Sequence, residues 1–340
     1  MHRVTIKDIA KMANVSCASV SRAINNSGKL SPETRQRILD ICEREGFFVN
    51  SHARSLTQNH SNVLGLIMPN VSNAFFSEIT LAVELYAYSR GYNVMPCNSL
   101  YDEKRTSELF SFLIGQQVDG IILLTPQIDS MRMLKQFSRL VPTVMLGGAY
   151  QEEDFSDINT VGIDNRMGGK IAAEYLLSLG HRDIAYVGYR KTGLAQVHRF
   201  HGFLQVCREH GIEPYVLENA DSRSSIEAGY RLGVELLEKG PKVTAAFAAT
   251  DYTALGVLKA CNEHGIAVPD DLSLMGFDNT LVSSLPRIEL TTVDQKKDVM
   301  AKAAVDTLID MINADGSAQY GRHVILPSLI ERNTCRPLER

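Results

Sequence analysis

From residue 63 onward, short apolar runs alternate with amphipathic stretches, and they do so in two successive sets. Residues 63–68 form a continuous apolar run closed by Pro69-Asn70. Helical spacing follows over 74–90 and stops at Gly91. A strand over 92–96, a helix over 103–115, a strand over 120–124, a helix over 130–139 and a strand over 143–146 come next. After an apolar run at 159–163 the scheme restarts, with a helix over 165–179, a strand over 184–187 and a helix over 196–210. A helix over 224–238, a strand over 243–248, a helix over 252–264 and a strand over 272–275 complete it. Runs without a polar face are strands buried on both sides, which requires parallel sheets covered by helices. The pattern predicts an α/β core of two doubly wound parallel-sheet subdomains. Ligands bind such folds outside the carboxyl ends of the strands, so a crevice there is the expected site.

Composition narrows the class. At 44% hydrophobic and 22% charged residues the chain is an ordinary globular protein. Six scattered cysteines without a C-x-x-C pair read as reduced thiols of a cytoplasmic protein. The first residues, Met-His-Arg-Val-Thr, lack the apolar core of a signal peptide. No apolar run reaches the ~18 residues of a membrane span, so no membrane partner is expected. Walker, H-E-x-x-H, G-x-S-x-G and G-x-G-x-x-G motifs are absent, which weakens enzyme readings and implies no cofactor. The net charge of −4 argues against a nucleic-acid partner only if it is evenly spread. Residues 1–60 carry nine Lys and Arg against five Asp and Glu, while the other 280 carry 26 against 34. A basic head precedes an acidic body.

The head, residues 1–46, reads as three short helices. Thr5 caps the first, with Asp8 three residues on, and Ile6, Ile9, Ala10 and Ala13 recur at helical spacing. Asn14-Val15 is a tight turn. Ser16 caps a second helix over 17–24. Ser31-Pro32-Glu33 starts a third, ended by Gly46. Two helices across a small turn plus a third completing a miniature core describe a helix-turn-helix unit, whose second helix enters the major groove. Its outward positions are Cys17, Ala18, Ser21, Arg22 and Asn25. Arg22 suits bidentate bonding to guanine O6 and N7. Cys17 and Ala18 suit close approach or a thymine methyl. Thr5, Ser16, Ser19, Ser21 and Asn25 are candidate phosphate contacts. A three-helix bundle without a DNA role is the alternative. A redox role for Cys17 lacks flanking cations.

Residues 47–61 form a link. Asn50 to Gln58 is amphiphilic and too short to be a stable helix alone. Leu56 either packs on the next domain or wedges into the minor groove from a helix that forms on DNA.

In the body, Asn73, Phe75 and Phe76 follow the first strand. Two aromatics beside an amide suit a ring-shaped polyol, or they simply begin the core face of the helix. Arg199 lies early in the helix after strand 184–187, and Asp278 follows strand 272–275. Asp251 reads as a helix cap. His198 and His201 lack a third metal ligand nearby in sequence.

Several segments resemble the LacI/GalR family of bacterial transcriptional repressors over essentially the whole chain. Val4-Thr-Ile-Lys-Asp-Ile-Ala-Lys-Met-Ala-Asn-Val-Ser16 and Val20-Ser-Arg-Ala-Ile-Asn25 are similar to its helix-turn-helix signature. Asn50-Ser-His-Ala-Arg-Ser-Leu56 is similar to its hinge helix. Gly180-His-Arg-Asp-Ile-Ala-Tyr-Val-Gly188, Thr250-Asp-Tyr-Thr-Ala-Leu-Gly256 and Val268-Pro-Asp-Asp-Leu-Ser-Leu-Met-Gly-Phe-Asp-Asn279 resemble motifs of its periplasmic-binding-protein-like core. The resemblance implies a homodimer on a pseudo-palindromic double-stranded DNA operator, with Asn50, Ala53, Arg54 and Leu56 in the DNA-bound hinge. It implies a small-molecule effector, usually a carbohydrate, held by Asn73, Phe75, Phe76, Arg199, Thr250, Asp278 and Gln295. It also implies domains at 1–46, 47–61, 62–161 plus 291–322, and 162–290 plus 323–340. Thr250-Asp251 stands where many sugar-binding relatives have Asn-Asp. The chain end lacks the leucine heptads of a tetramerising tail. The competing functions are a small-molecule-processing enzyme and a sugar-binding module using the same cleft.

Overall fold

The computed structural model describes residues 4–24, 27–47, 60–124, 131–147, 157–188, 193–218, 225–314 and 320–338. Two compact units result, residues 1–61 and 62–340. Asn25 and the link residues Asn50, Ala53, Arg54 and Leu56 lie outside the described residues.

The head has α1 (Ile6–Met12), α2 (Cys17–Ile24) and α3 (Pro32–Arg44). The expected caps are formed. Thr5 N and Oγ1 donate to Asp8 Oδ2 at 2.9 and 2.7 Å. Ser16 Oγ accepts from Ser19 N at 3.1 Å, and Ser31 Oγ from Thr34 N at 3.2 Å. Ile9, Ala10, Ala13, Val20, Ala23, Ile38, Ile41 and Cys42 make a small core. Two arginines of α3 reinforce it. Arg37 Nη2 donates to Ala13 O at 3.1 Å and Arg35 Nη1 to Ala23 O at 3.4 Å, each closing the end of a neighbouring helix.

The body contains β1 (Val63–Met68), α4 (Ala74–Ser89), β2 (Asn93–Asn98), α5 (Glu103–Gly115), β3 (Gly120–Leu124), α6 (Met131–Phe137), β4 (Thr143–Leu146) and β5 (Asn159–Ile163). Then come α7 (Asn165–Ser178), β6 (Ile184–Gly188), α8 (Leu194–Glu209), β7 (Tyr215–Glu218), α9 (Ile226–Lys239), β8 (Ala245–Ala248), α10 (Asp251–Glu263) and β9 (Ser273–Met275). A 3₁₀ turn (Leu281–Ser284), β10 (Thr292–Asp294), α11 (Lys297–Asn313), β11 (Arg322–Ile325) and β12 (Ser328–Ile330) finish the chain. One sheet runs β11-β5-β4-β3-β1-β2 and a second β7-β6-β8-β9, every pairing parallel. β10 and β12 pair antiparallel as a small ribbon.

Two features depart from expectation. β7 was not foreseen: four edge residues between two helices, of which only Leu217 is buried, carry too short a pattern to register. The last crossing also moves. Arg322–Ile325 pairs with β5 in register Arg322↔Thr160 to Ile325↔Ile163, so the first sheet keeps the chain past 323. The crossing into the second half follows Ile325. There Thr334 Oγ1 donates to Leu274 O at 2.6 Å, and His181 Nε2 lies 3.1 Å from Arg336 O.

Candidate DNA-reading helix and ligand cleft

α2 turns Val20 and Ala23 into the head core and leaves Cys17, Ala18 and Arg22 exposed, with Ser19 and Ser21 half-buried. Arg22 is the only charged residue on this helix. Thr5, Ser16 and Ser19 are already engaged in caps, Ser16 Oγ lying 3.0 Å from Ser19 Oγ. Any phosphate contact they make is therefore shared with the helix start. The basic balance of the head also divides: Arg35 and Arg37 hold helices together, while Lys7, Lys11, Arg22 and Lys29 are exposed.

In the body, the expected ligand residues cluster at the carboxyl ends of strands. From the first half, Asn73 caps α4, its Oδ1 accepting from Phe75 N at 3.0 Å. Phe75 and Phe76 meet edge-on at 5.4 Å, and Tyr101 meets Phe76 at 6.5 Å. Both phenylalanines belong to the main core, at 5% and 8% exposure, as the alternative reading of them required.

From the second half comes a buried polar network. Arg199 Nη1 donates to Ala249 O and Nη2 to Asn165 Oδ1 at 3.0 Å. Its guanidinium lies over the Phe277 ring, 3.3 Å from the centroid, and 4.0 Å from Asp278 Oδ1. α7 and α8 approach closely enough to fix this arginine. A Cβ on Gly169 would collide with Arg199 O, and one on Gly202 with Arg166 O. Gln295 Nε2 donates to Asp278 Oδ1 at 2.5 Å. Burial pushes the Asp278 carboxyl up to about 7, the Arg199 charge opposing it and Asp251 adding to it. Asp251 is fully buried, which raises its own pKa. It does not cap its helix: Oδ2 accepts from Thr280 N and Oγ1, at 2.8 and 3.0 Å, and Oδ1 from Thr292 Oγ1 at 2.6 Å. Thr250 is the cap instead, accepting from Thr253 N at 3.1 Å.

Three residues that join the halves, Tyr252, Glu78 and Lys297, and one within the second half, Asn165, were missed. Tyr252 OH donates to Ser72 O and accepts from Ala74 N, both at 3.1 Å, on either side of Asn73. Lys297 Nζ donates to Asp278 O at 2.9 Å and Asn279 O at 2.6 Å, and pairs with Glu78 Oε2 at 3.2 Å. Asn165 holds Arg199. The signals were faint: a tyrosine beside Thr250-Asp251, and a second lysine after Gln295. Among the described residues, no group of three or more His, Cys, Asp or Glu is placed to hold a metal ion.

Comparison with known proteins decides the lineage. The profile described as bacterial regulatory proteins, lacI family, matches residues 5–50, and that of a periplasmic binding protein-like domain matches 173–335. The HTH-type transcriptional regulator DegA of Bacillus subtilis is 34% identical over 342 residues, covering 99% of both chains. The chain belongs to the LacI family. Catabolite control protein A of Priestia megaterium is 32% identical, over 92% of this chain and 93% of its own. The HTH-type transcriptional repressor PurR of Klebsiella pneumoniae is 33% identical, over 97% and 96%. A lac repressor dimer bound to operator and an anti-inducer superposes with a TM-score of 0.86 at 25% identity, over 98% of this chain and 100% of that one. The CelR–cellobiose complex gives 0.71 at 26% identity, over 98% and 100%. This LacI-family chain is a DNA-binding transcriptional regulator with an effector-binding core, and its relatives are regulators rather than enzymes.

Proposed function

We propose that this regulator is a homodimeric repressor that binds a pseudo-palindromic operator through paired heads and responds to a carbohydrate-class effector in its cleft. The buried Arg199–Asp278–Gln295 cluster carries the reading of the ligand site. One fixed cation, one carboxyl that titrates near neutrality and one amide offer donors and acceptors to a neutral polyhydroxylated molecule. Phe75, Phe76 and Tyr101 supply an apolar wall. The effector acts by unequal affinity for two arrangements of the halves.

Dimerisation is supported by an apolar stripe. Leu81, Leu85 and Tyr88 follow one another at helical spacing along α4 and are 55%, 63% and 75% exposed, and Leu281 and Leu285 are exposed in the other half. On the DNA side, α2 presents Cys17, Ala18, Ser21 and Arg22, while Asn25, Asn50, Ala53, Arg54 and Leu56 complete the proposed contacts.

The test is a screen of neutral sugars by thermal shift on the full chain, followed by operator binding with and without each hit. A sugar that raises the melting temperature and changes operator affinity supports the reading, and turnover of any hit overturns it.

A further inference from the structure

Gly28 stands out on the head. Its φ is +69°, and a Cβ there would lie 3.2 Å from Arg22 Cδ and 3.5 Å from Arg22 Cγ and Nε. All three nearest atoms belong to that one side chain. Ser27 N donates to Arg22 O at 3.1 Å, which holds Gly28 beside the arginine stem.

The consequence concerns entropy and aim. Cys17, Ala18 and Ser21 are short, so Arg22 is the only side chain on the exposed face of α2 able to grip a base edge with two bonds. An arginine has a large rotamer entropy to lose when it is fixed. With no Cβ at position 28 the stem keeps the path it takes past the glycine, and the direction of its guanidinium follows from that path. A Cβ at position 28 would press on the stem, which would have to give way by a few tenths of an ångström and so change its aim.

We infer that Gly28 is a positioning residue for base recognition: it aims Arg22 and so sets operator discrimination without touching DNA itself. This rests on the reading of α2 as the groove-entering helix.

The experiment uses the full chain and an operator selected from a random duplex pool by the wild-type protein. Discrimination at each base pair is measured by competition for wild type, Gly28→Asn, Gly28→Ala, Arg22→Ala and the double variant Arg22→Ala/Gly28→Asn. Asparagine tolerates the left-handed backbone and so tests the stem path rather than the turn. Binding to non-specific duplex and its salt dependence report whether the head is folded.

Arg22→Ala is expected to abolish the preference at one base pair. Gly28→Asn should lower that same preference roughly tenfold, equivalent to ~1.4 kcal/mol, with unchanged salt dependence. In the Arg22→Ala background Gly28→Asn should change nothing. An equal loss of all binding in both backgrounds, or no loss beside Arg22, overturns the role of Gly28 while leaving the groove-entering helix intact. If Arg22→Ala leaves every base preference unchanged, the reading of α2 fails and this inference with it.

Discussion

Lys297 Nζ lies 3.2 Å from Glu78 Oε2, and the same ammonium donates to the carbonyls of Asp278 and Asn279. Those two residues have φ of 126° and 49°, left-handed conformations that a non-glycine residue holds only when its surroundings compel it. Glu78 Oε1 meanwhile accepts from Leu281 N at 2.8 Å. One carboxylate on α4 and one lysine at the start of α11 thus grip the turn that presents Asp278, the aspartate of the proposed ligand site.

Breaking this pair from one side should be costly. Lys297→Met strands a largely buried carboxylate and two carbonyls, and urea unfolding should show a loss of roughly 3 kcal/mol. The double variant Glu78→Gln/Lys297→Met should lose less than the two single losses added together. Full additivity would mean that the contact carries no energy.

Asp278 sets a pH dependence. Its folded carboxyl titrates at about 7, above its ordinary value of 3.8, so the folded state holds a proton that the unfolded chain has released. The contribution of this group is fully present below about pH 4 and is lost as pH rises through 7. Asp278→Asn should therefore be stabilised relative to wild type at pH 8 compared with pH 5. Parallel pH–stability curves for the two proteins would refute this.

His181 works in the opposite direction. Burial lowers its pKa, and its Nδ1 lies 3.0 Å from Thr244 Oγ1 while Nε2 faces Arg336 O. Its stabilisation is present above the ordinary histidine value near 6.5 and falls as pH drops through the lower folded value. His181→Ala should cost most at pH 7.5, about 1–2 kcal/mol, and less at pH 5. Proteolysis of the C-terminal segment provides a second readout.

Gly169→Ala puts a methyl group against the backbone of Arg199 and forces α7 and α8 apart. A loss of about 3 kcal/mol or more is expected, since the obstacle is backbone rather than a movable side chain. Effector-dependent changes in operator affinity should fall with it, because Arg199 shifts. Unchanged thermal unfolding would show that the helices have room to spare.

Leu85→Lys places a charge in the exposed stripe of α4. Sedimentation should show a shift toward monomer, and operator affinity should fall with it. A variant that remains dimeric and binds normally would move the interface elsewhere.

The alternation of apolar runs and amphipathic helices was enough to anticipate both sheets, because buried parallel strands leave a continuous apolar signal. β11 escaped its expected boundary because exposed edge residues such as Arg322 and His323 carry no such signal. The residues of the proposed ligand site divide similarly. Arg199 and Asp278 stand out as charges placed beside apolar strands. Asn165, Tyr252 and Lys297 acquire their roles only through partners 34, 180 and 19 residues away, and one-dimensional spacing does not encode that pairing.

The first sheet carries β11 on β5, and those four residues follow β5 in the chain only after the whole second half. Until they are made β5 has a bare edge, and until α11 is made α4 lacks the helix it packs against under the same sheet. The two halves of the body therefore cannot mature one after the other, as beads on a string do. They are sewn together by the returning strands, and neither can be exchanged between relatives without unpicking the other. The head has no such stitch, since its three helices are complete by Arg44. Recombination is free to replace what this protein reads on DNA far more readily than half of what it senses.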